Sequence, residues 1–382
     1  MIRRSIIEFQ AEKIADPVAR LRYLKRHASP EAAWFRAGWQ FRKWPLAALA
    51  VLLAILLLPG YRVSKSTQRL SPPYPVTRTI AARSDVLPNV WLVDKSADFE
   101  TYSNGLRIDN RYAIGNDRRV FYPVYKPETI DASQPEFRSE PAGIIYHTTE
   151  SDQARFEPDQ NAELKRIGKQ VLSFIRRNHC YHFVISRFGE VFRIVNESDV
   201  AYHAGNSVWA DDSGIYVNLN SSFLGIAFET QTQRSDELPS ANPAQIHAAR
   251  ILTEMLRSKY HIPAADCVTH AQVSVNPANM LMGYHTDWAG NFPFAELGLN
   301  DNYAAPPPSI YAFGFDYDPA FVHATGARMW QGLALAEDQL HSESVARGIS
   351  MRQYRTILRD RYKEILTTLK AASAAKEKDH AT

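Results

Sequence analysis

Two cysteines in 382 residues leave no disulfide framework and exclude a four-cysteine zinc site. A net charge of only +3 gives no basis for nucleic-acid binding. Charged residues at 22% and hydrophobic residues at 45% are ordinary for a folded chain, so neither a disordered nor a polytopic membrane protein is expected. No internal repeat is present.

The small net charge hides an asymmetry. Residues 1–43 hold ten Lys/Arg against four Asp/Glu, a local charge of +6, so the rest of the chain sums to −3. The uncharged run Trp44-PLAALAVLLAILLLPG-Tyr61 follows, apolar without a break from Leu46 to Leu58. A spanning helix needs about 20 apolar residues, with a lower limit of about 17. Trp44 and Tyr61 suit the two interfaces, and Arg62 can snorkel. A buried core helix would show a polar face, and a cleaved signal would begin earlier in the chain. The run is expected to be a single-pass signal anchor in the cytoplasmic membrane. Its basic flank keeps the N-terminus cytosolic, and everything after Tyr61 is exported.

The expected organisation is a basic cytosolic arm (1–43), the anchor (44–61) and a polar, proline-bearing linker (62–82). A β-rich accessory segment (83–140) follows, with runs at 90–93, 105–108 and 119–125. An α/β domain (141–303) and a helical C-terminal extension (304–382) complete the chain. Within 141–303, GIIYHTT (143–149), FLGIAFET (223–230) and CVTH (267–270) read as strands. YHFVISRFGEVFRIV (181–195) reads as two strands around Phe188-Gly189. Asn161–Arg177, apolar at 164, 167, 171, 174 and 175, and Pro243–Tyr260 read as helices. The fold class is therefore α/β, a central mixed sheet flanked by helices.

Of twelve histidines, five lie in this block at positions of interest: His147, His182, His203, His270 and His285. His147 and His270 each end an apolar strand, and two neighbouring strand ends can bring two imidazoles to one point. Asp287 can complete a set of two histidines and one aspartate. Three protein ligands with one open position are what a catalytic zinc site uses. Spacing alone favours core histidines over a metal site.

The ordered series GIIYHTTES, YHFVISRFGEVFRIV, AYHAGNSVW, FLGIAFE, THAQVSVNP and HTDWAGNFPF resembles the type 2 N-acetylmuramoyl-L-alanine amidases. That family includes AmpD-like amidases, phage T7-type lysozyme and the peptidoglycan recognition proteins. The resemblance covers residues 141–300. It implies a Zn2+ cofactor and hydrolysis of the amide between N-acetylmuramic acid and L-alanine, with peptidoglycan or a muropeptide as partner. It also implies that His147, His270 and Asp287 bind the metal. His182 and His203 match family histidines that are not ligands and are expected as site-wall or structural residues. Trp209 is expected either in the substrate groove or in the core.

Three departures accompany the resemblance. The loop between the second and third ligands, Ala271–Thr286, is longer than in the AmpD-like pattern, which leaves His285 as a rival to Asp287 for the third ligand position. The catalytic glutamate of the AmpD-like amidases falls on Ala227, with Glu229 two residues on as a displaced proton carrier or a rim charge. A lysine of that pattern is His285 here, which implies an oxyanion donor. The rival to an enzyme is a muropeptide-binding protein without activity, or an envelope scaffold. Cys180 and Cys267, exported, are expected either to pair or to remain two buried thiols.

Overall fold

The computed structural model describes residues 85–126, 134–232, 241–317, 321–322, 325 and 329–380. The basic arm, the apolar run and the linker lie outside the described residues. Among the described residues no helix is long and apolar enough to cross a membrane.

The main sheet has eight strands. In chain order these are β1 (Leu92–Lys95), β2 (Phe99–Tyr102), β3 (Arg107–Asp109), β6 (Gly143–Thr148), β7 (Phe183–Ile185), β8 (Val191–Arg193), β11 (Phe223–Phe228) and β12 (Cys267–Thr269). They lie side by side in the order β1-β2-β3-β8-β7-β11-β6-β12. Strands β7, β11, β6 and β12 run parallel. Every residue of β6 and β11 is buried, as expected of strands covered on both faces. The three strands β1–β3, from the segment read as accessory, continue this same sheet through the parallel β3–β8 pair.

The cover of each face follows from strand alternation. Helix α1 (Asn161–Arg177) sets Leu172 and Ile175 against Val184, Phe192 and Ile194. Its buried stripe is 164, 167, 172 and 175; Phe174, placed on that stripe by spacing, faces solvent at 57% exposure. Helix α2 (Pro243–Tyr260) puts Leu252, Met255 and Leu256 against Ile144, Tyr146, Ile226 and Phe228 on the other face. Its ends are set locally. Asn242 Oδ1 accepts from Gln245 N, Gln245 Oε1 accepts from Asn242 N, Pro243 opens the first turn, and His261 closes the last at φ 55°.

A second sheet of β4 (Tyr122–Tyr125), β5 (Glu136–Arg138), β9 (Val208–Asp211) and β10 (Gly214–Val217) runs in the order β5-β4-β10-β9. Its Tyr122, Trp209 and Tyr216 pack with Ile145, Phe223 and Val268. Ile145 alternates with His147 on β6, so this sheet covers the face that carries His147. Beyond residue 303 come α4 (Pro308–Tyr311), β15 (Asp316–Tyr317), α5 (Trp330–Ala346) and α6 (Met351–His380). Phe313 and Phe315 pack edge-on against Tyr362 of α6, whose hydroxyl donates to Asn206 O at 2.9 Å. The C-terminal extension thus shares the main core. Cys180 and Cys267 are both free thiols, so the disulfide alternative is not realised.

Arg193 on β8 ties the first strands to this frame. Its guanidinium meets Glu100 of β2 at 2.8 Å and Glu197 at 2.8 Å, and donates to Asn110. Burial opposes the charge of Glu100, but Arg193 outweighs it and holds the carboxyl down at about 2. Replacing Arg193 with Met would strand two buried carboxylates and is expected to cost about 3–5 kcal/mol at pH 7 by urea denaturation. A folded pKa held below the ordinary value gives stability that is present above it and lost as pH falls towards the folded value. The deficit of Arg193→Met against the parent should therefore shrink as pH drops through 4.5 towards 2. A deficit constant over that range would show that Arg193 stabilises by packing alone.

Candidate metal centre

Parallel pairing places the two strand-end histidines. Strand β12 lies beside β6 with Thr269 opposite Tyr146, so His147 and His270 leave the sheet next to each other. Their rings are 4.4 Å apart. His270 opens the short helix α3 (His270–Val273), fixed by Gln272 Oε1 accepting from Thr269 N at 2.9 Å. Gln272 Nε2 donates in turn to Asn302 O at 2.6 Å.

Asp287 is brought in by two clamps. Ala271 N donates to Asp287 O at 3.2 Å, and the indole N–H of Trp288 donates to His147 O at 2.9 Å. Trp288 adopts φ 57°, a left-handed turn that brings its indole back under β6. The Asp287 carboxylate then meets His270 Nδ1 at 2.9 and 3.1 Å and His147 Nδ1 at 3.2 Å. Burial works against the charge of Asp287, yet the adjacent His270 holds its carboxyl far below the usual carboxylate range. The ligand atoms of His147, His270 and Asp287 all lie within 4.8 Å of one another.

The hydrogen-bond chain behind His147 fixes which nitrogen faces the carboxylate. His203 Nε2 lies 3.2 Å from the carbonyl of Phe223, which can only accept, so Nε2 carries the proton. His203 Nδ1 is then the acceptor for His147 Nε2 at 3.1 Å. The remaining nitrogen of His147, Nδ1, presents a lone pair to Asp287. Burial first, and the neighbouring His270 second, push His147 down to about 4, so the ring is neutral near pH 7. A neutral lone pair and a carboxylate at 3.2 Å repel unless a cation sits with them. The donor set therefore fits a metal ion.

The other expected residues fall in different places. His285 stacks on His270 at 4.7 Å with rings 20° apart and sits exposed at the mouth. Its place is beside the cluster; Asp287 is the residue that meets both histidines. His182 is fully buried, accepts from Gly225 N at 2.9 Å and faces Arg119 and Asp199 O, each at 3.1 Å. It has no solvent-accessible surface. His203 is also buried, with its Nδ1 on His147 Nε2. Trp209 is a core residue whose indole donates to Asp266 at 2.8 Å, so the groove alternative is not realised. Burial raises Asp266 to about 8, which keeps that buried acid neutral at pH 7.

Ala227 pairs in register with His147, so the position next to the cluster carries a methyl group. Glu229 accepts from Arg187 N at 3.1 Å and lies against Gly168 of α1. Its carboxylate is turned to the α1 side. Sequence reasoning passed over Tyr181, whose ring lies 4.9 Å from His147. Its φ of 57° was not legible, although its place directly before a strand start was the available signal.

The fold and site define an α/β domain with a buried cluster of two histidines and one aspartate whose ligand atoms face one another. Residues 137–287 match the family model described as N-acetylmuramoyl-L-alanine amidase. No curated protein matches the chain. Among solved structures, the amidase LysC from Clostridium intestinale is 22% identical, covering 50% of this chain and 93% of its own, with a TM-score of 0.27. The amidase AmiD from E. coli, in complex with an anhydro-N-acetylmuramic acid peptide, is 19% identical, covering 65% and 98%, with a TM-score of 0.34. The Drosophila peptidoglycan recognition protein SD is 16% identical, covering 43% and 85%, with a TM-score of 0.26.

His203→Phe keeps the ring volume and removes the acceptor for His147. Its metal affinity, measured by competition with a coloured chelator, should fall about 10–100-fold. His203→Gln restores an acceptor and should recover most of that loss. Equal affinity in all three proteins would remove His203 from the site.

Proposed function

We propose that this chain is a zinc-dependent N-acetylmuramoyl-L-alanine amidase acting on peptidoglycan. The observation that carries the reading is the His147, His270 and Asp287 cluster at adjacent parallel strand ends, inside the segment matched to the amidase family. Two imidazoles and one carboxylate suit zinc and leave a coordination position open. When bound there, zinc supplies Lewis acidity to a carbonyl and lowers the pKa of water towards neutrality.

The chain's own residues supply the rest. Buried neutral His147 is oriented by His203, and Asp287 keeps its negative charge against burial. Exposed His285, stacked on His270, offers an N–H donor at the mouth to the oxygen that gains charge when the amide carbonyl is attacked. Burial raises the Tyr181 hydroxyl, so it stays protonated, and it points at Thr148 O at 3.5 Å, with the ring beside His147. Glu229 is left out of this scheme because its carboxylate engages Arg187 N.

One observation favours a second reading, a protein that binds muropeptide without cutting it. The strand position beside His147 is Ala227 and offers no carboxylate base. We place either activity outside the cytoplasmic membrane, tethered by the apolar run 44–61, because the basic arm precedes that run and the polymer substrate is extracytoplasmic.

The full chain, purified in detergent and loaded with zinc, should release free stem peptides from sacculi, read by mass spectrometry. His270→Ala should lower release at least about 100-fold, as expected when a metal ligand is lost. Retained binding to sacculi without any release would select the second reading. A periplasmic-type reporter fused after residue 70 should score as exported; a cytosolic score would overturn the tether.

A further inference from the structure

The long loop between His270 and Asp287 is a folded element. It forms the hairpin β13 (Val275–Asn276) and β14 (Leu281–Met282), and β15 of the C-terminal extension adds to β14 in parallel. Gly283, at φ +79°, lies against the Phe321 ring so closely that a Cβ there would sit 2.2 Å from it. His285 N and Gly283 N donate to Ser274 Oγ and Ser274 O at 3.0 and 2.8 Å, which closes the hairpin onto the site. The result is a hollow of about 330 Å³ lined by Asn276, Asn279, Met282, Tyr284, Thr286 and Phe321, among others. It adjoins the metal cluster through a chain of rings: Tyr284 to His285 at 4.7 Å, and His285 to His270 at 4.7 Å.

The chemistry of the wall selects its occupant. None of its described lining side chains is charged. Tyr284 is 62% exposed, so a ring face is available. Asn276 and Asn279 each spend the carboxamide oxygen on a backbone N–H, of Ala278 and Leu281 at 3.0 and 3.1 Å, which fixes both side chains and leaves their NH2 groups as donors. An aromatic face beside oriented amide donors suits a neutral pyranoside, with its C–H face on the ring and its hydroxyl or acetamido oxygens accepting. A stem peptide carries carboxylates and amines, which an uncharged wall would desolvate without a partner. The larger hollow of about 590 Å³ on the loop after β6 has the opposite character, lined by Asp152, Arg155 and Glu163 among others.

We propose that the hairpin of residues 275–284 forms a saccharide-binding site that holds a sugar of the glycan strand beside the cleaved bond. This rests on the amidase reading for the identity of the polymer. The site places the glycan on the β12 side of the metal cluster and leaves the β6–α1 loop, with its charged side chains, for the peptide.

The test uses a ligand that has no peptide and no scissile bond, the β-1,4-linked tetramer of N-acetylglucosamine, titrated calorimetrically into the full chain. The parent should bind it, and Tyr284→Ala should weaken binding by about tenfold or more, as expected for loss of an aromatic contact. Tyr284→Phe should stay within about twofold, and Asn279→Ala should weaken binding several-fold without touching the ring chain. Absence of binding by the parent, or equal binding by Tyr284→Ala, overturns the proposal. So does a soluble stem tripeptide that binds in place of the sugar and loses affinity in Tyr284→Ala. Failure of the amidase reading would appear separately, as no stem-peptide release by the parent, and would leave the sugar titration unaffected.

Discussion

Everything chemical in this chain depends on the parallel pairing of β12 with β6. Those two strands are not consecutive, and the chain between them builds most of the domain. Their register, with Thr269 beside Tyr146, sets His147 and His270 at one height above the sheet edge. A slip of one residue would send one of the two imidazoles to the opposite face. The pairing is over-determined by burial. All of β6 and β12 is buried, and Asn302 Nδ2 grips Ala264 O at 2.9 Å and Cys267 O at 2.8 Å at the far end of β12. Asp287 is then carried in by bonds to helix α3 and strand β6, through Ala271 N and the Trp288 indole. The three ligand atoms are thus fixed from a common frame.

The second consequence of that frame is a directional one. His147 uses one nitrogen for the cluster and one for His203, and His203 passes the orientation to the Phe223 carbonyl on β11. Gly225 is required there because a Cβ would meet the His203 ring at 2.7 Å. The backbone of one strand therefore sets the tautomer of a side chain on its neighbour, without any carboxylate in the chain. His182 continues the packing below, kept neutral by burial and by the facing Arg119, so that no charge competes with Asp287 from that side.

The parts of this arrangement legible in the sequence are those with local rules behind them. Helices Asn161–Arg177 and Pro243–Tyr260 have the limits read from apolar periodicity. The strand-end positions of His147 and His270 follow from apolar runs that stop at a histidine. What could not be read was set by long-range partners. Trp209 is a core residue because Asp266, 57 positions away, accepts a hydrogen bond from its indole N–H. Residues 92–109 belong to the main sheet because β3 pairs with β8, a contact that has no local signature. Glu229 shares the strand parity of Ala227, but the strand ends at Phe228 and its carboxylate finds Arg187 N and Gly168 instead.

The long loop and the C-terminal extension looked like two separate departures in the sequence, and physically they are one. A hairpin with only two paired residues on each strand is not stable alone. Here it gains a third strand at Asp316–Tyr317, and that strand is in turn held by helix α6: Arg355 reaches Asp316 at 2.9 Å and Phe315 O at 2.7 Å, and Arg359 reaches Asp316 at 2.6 Å. Gly314, at φ +65°, runs so close to the backbone of Arg355 that a side chain there would meet its carbonyl at 2.9 Å. Helix α6 also reaches the loop after His203 through Tyr362 and Asn206. The extension therefore touches both sides of the cluster, the hairpin before Asp287 and the loop behind His147. A shorter ligand loop would need no such support, and an extension without the hairpin would have no edge to pair with. The hairpin and the extension depend on each other, and together they give the uncharged hollow beside the metal cluster a rigid wall.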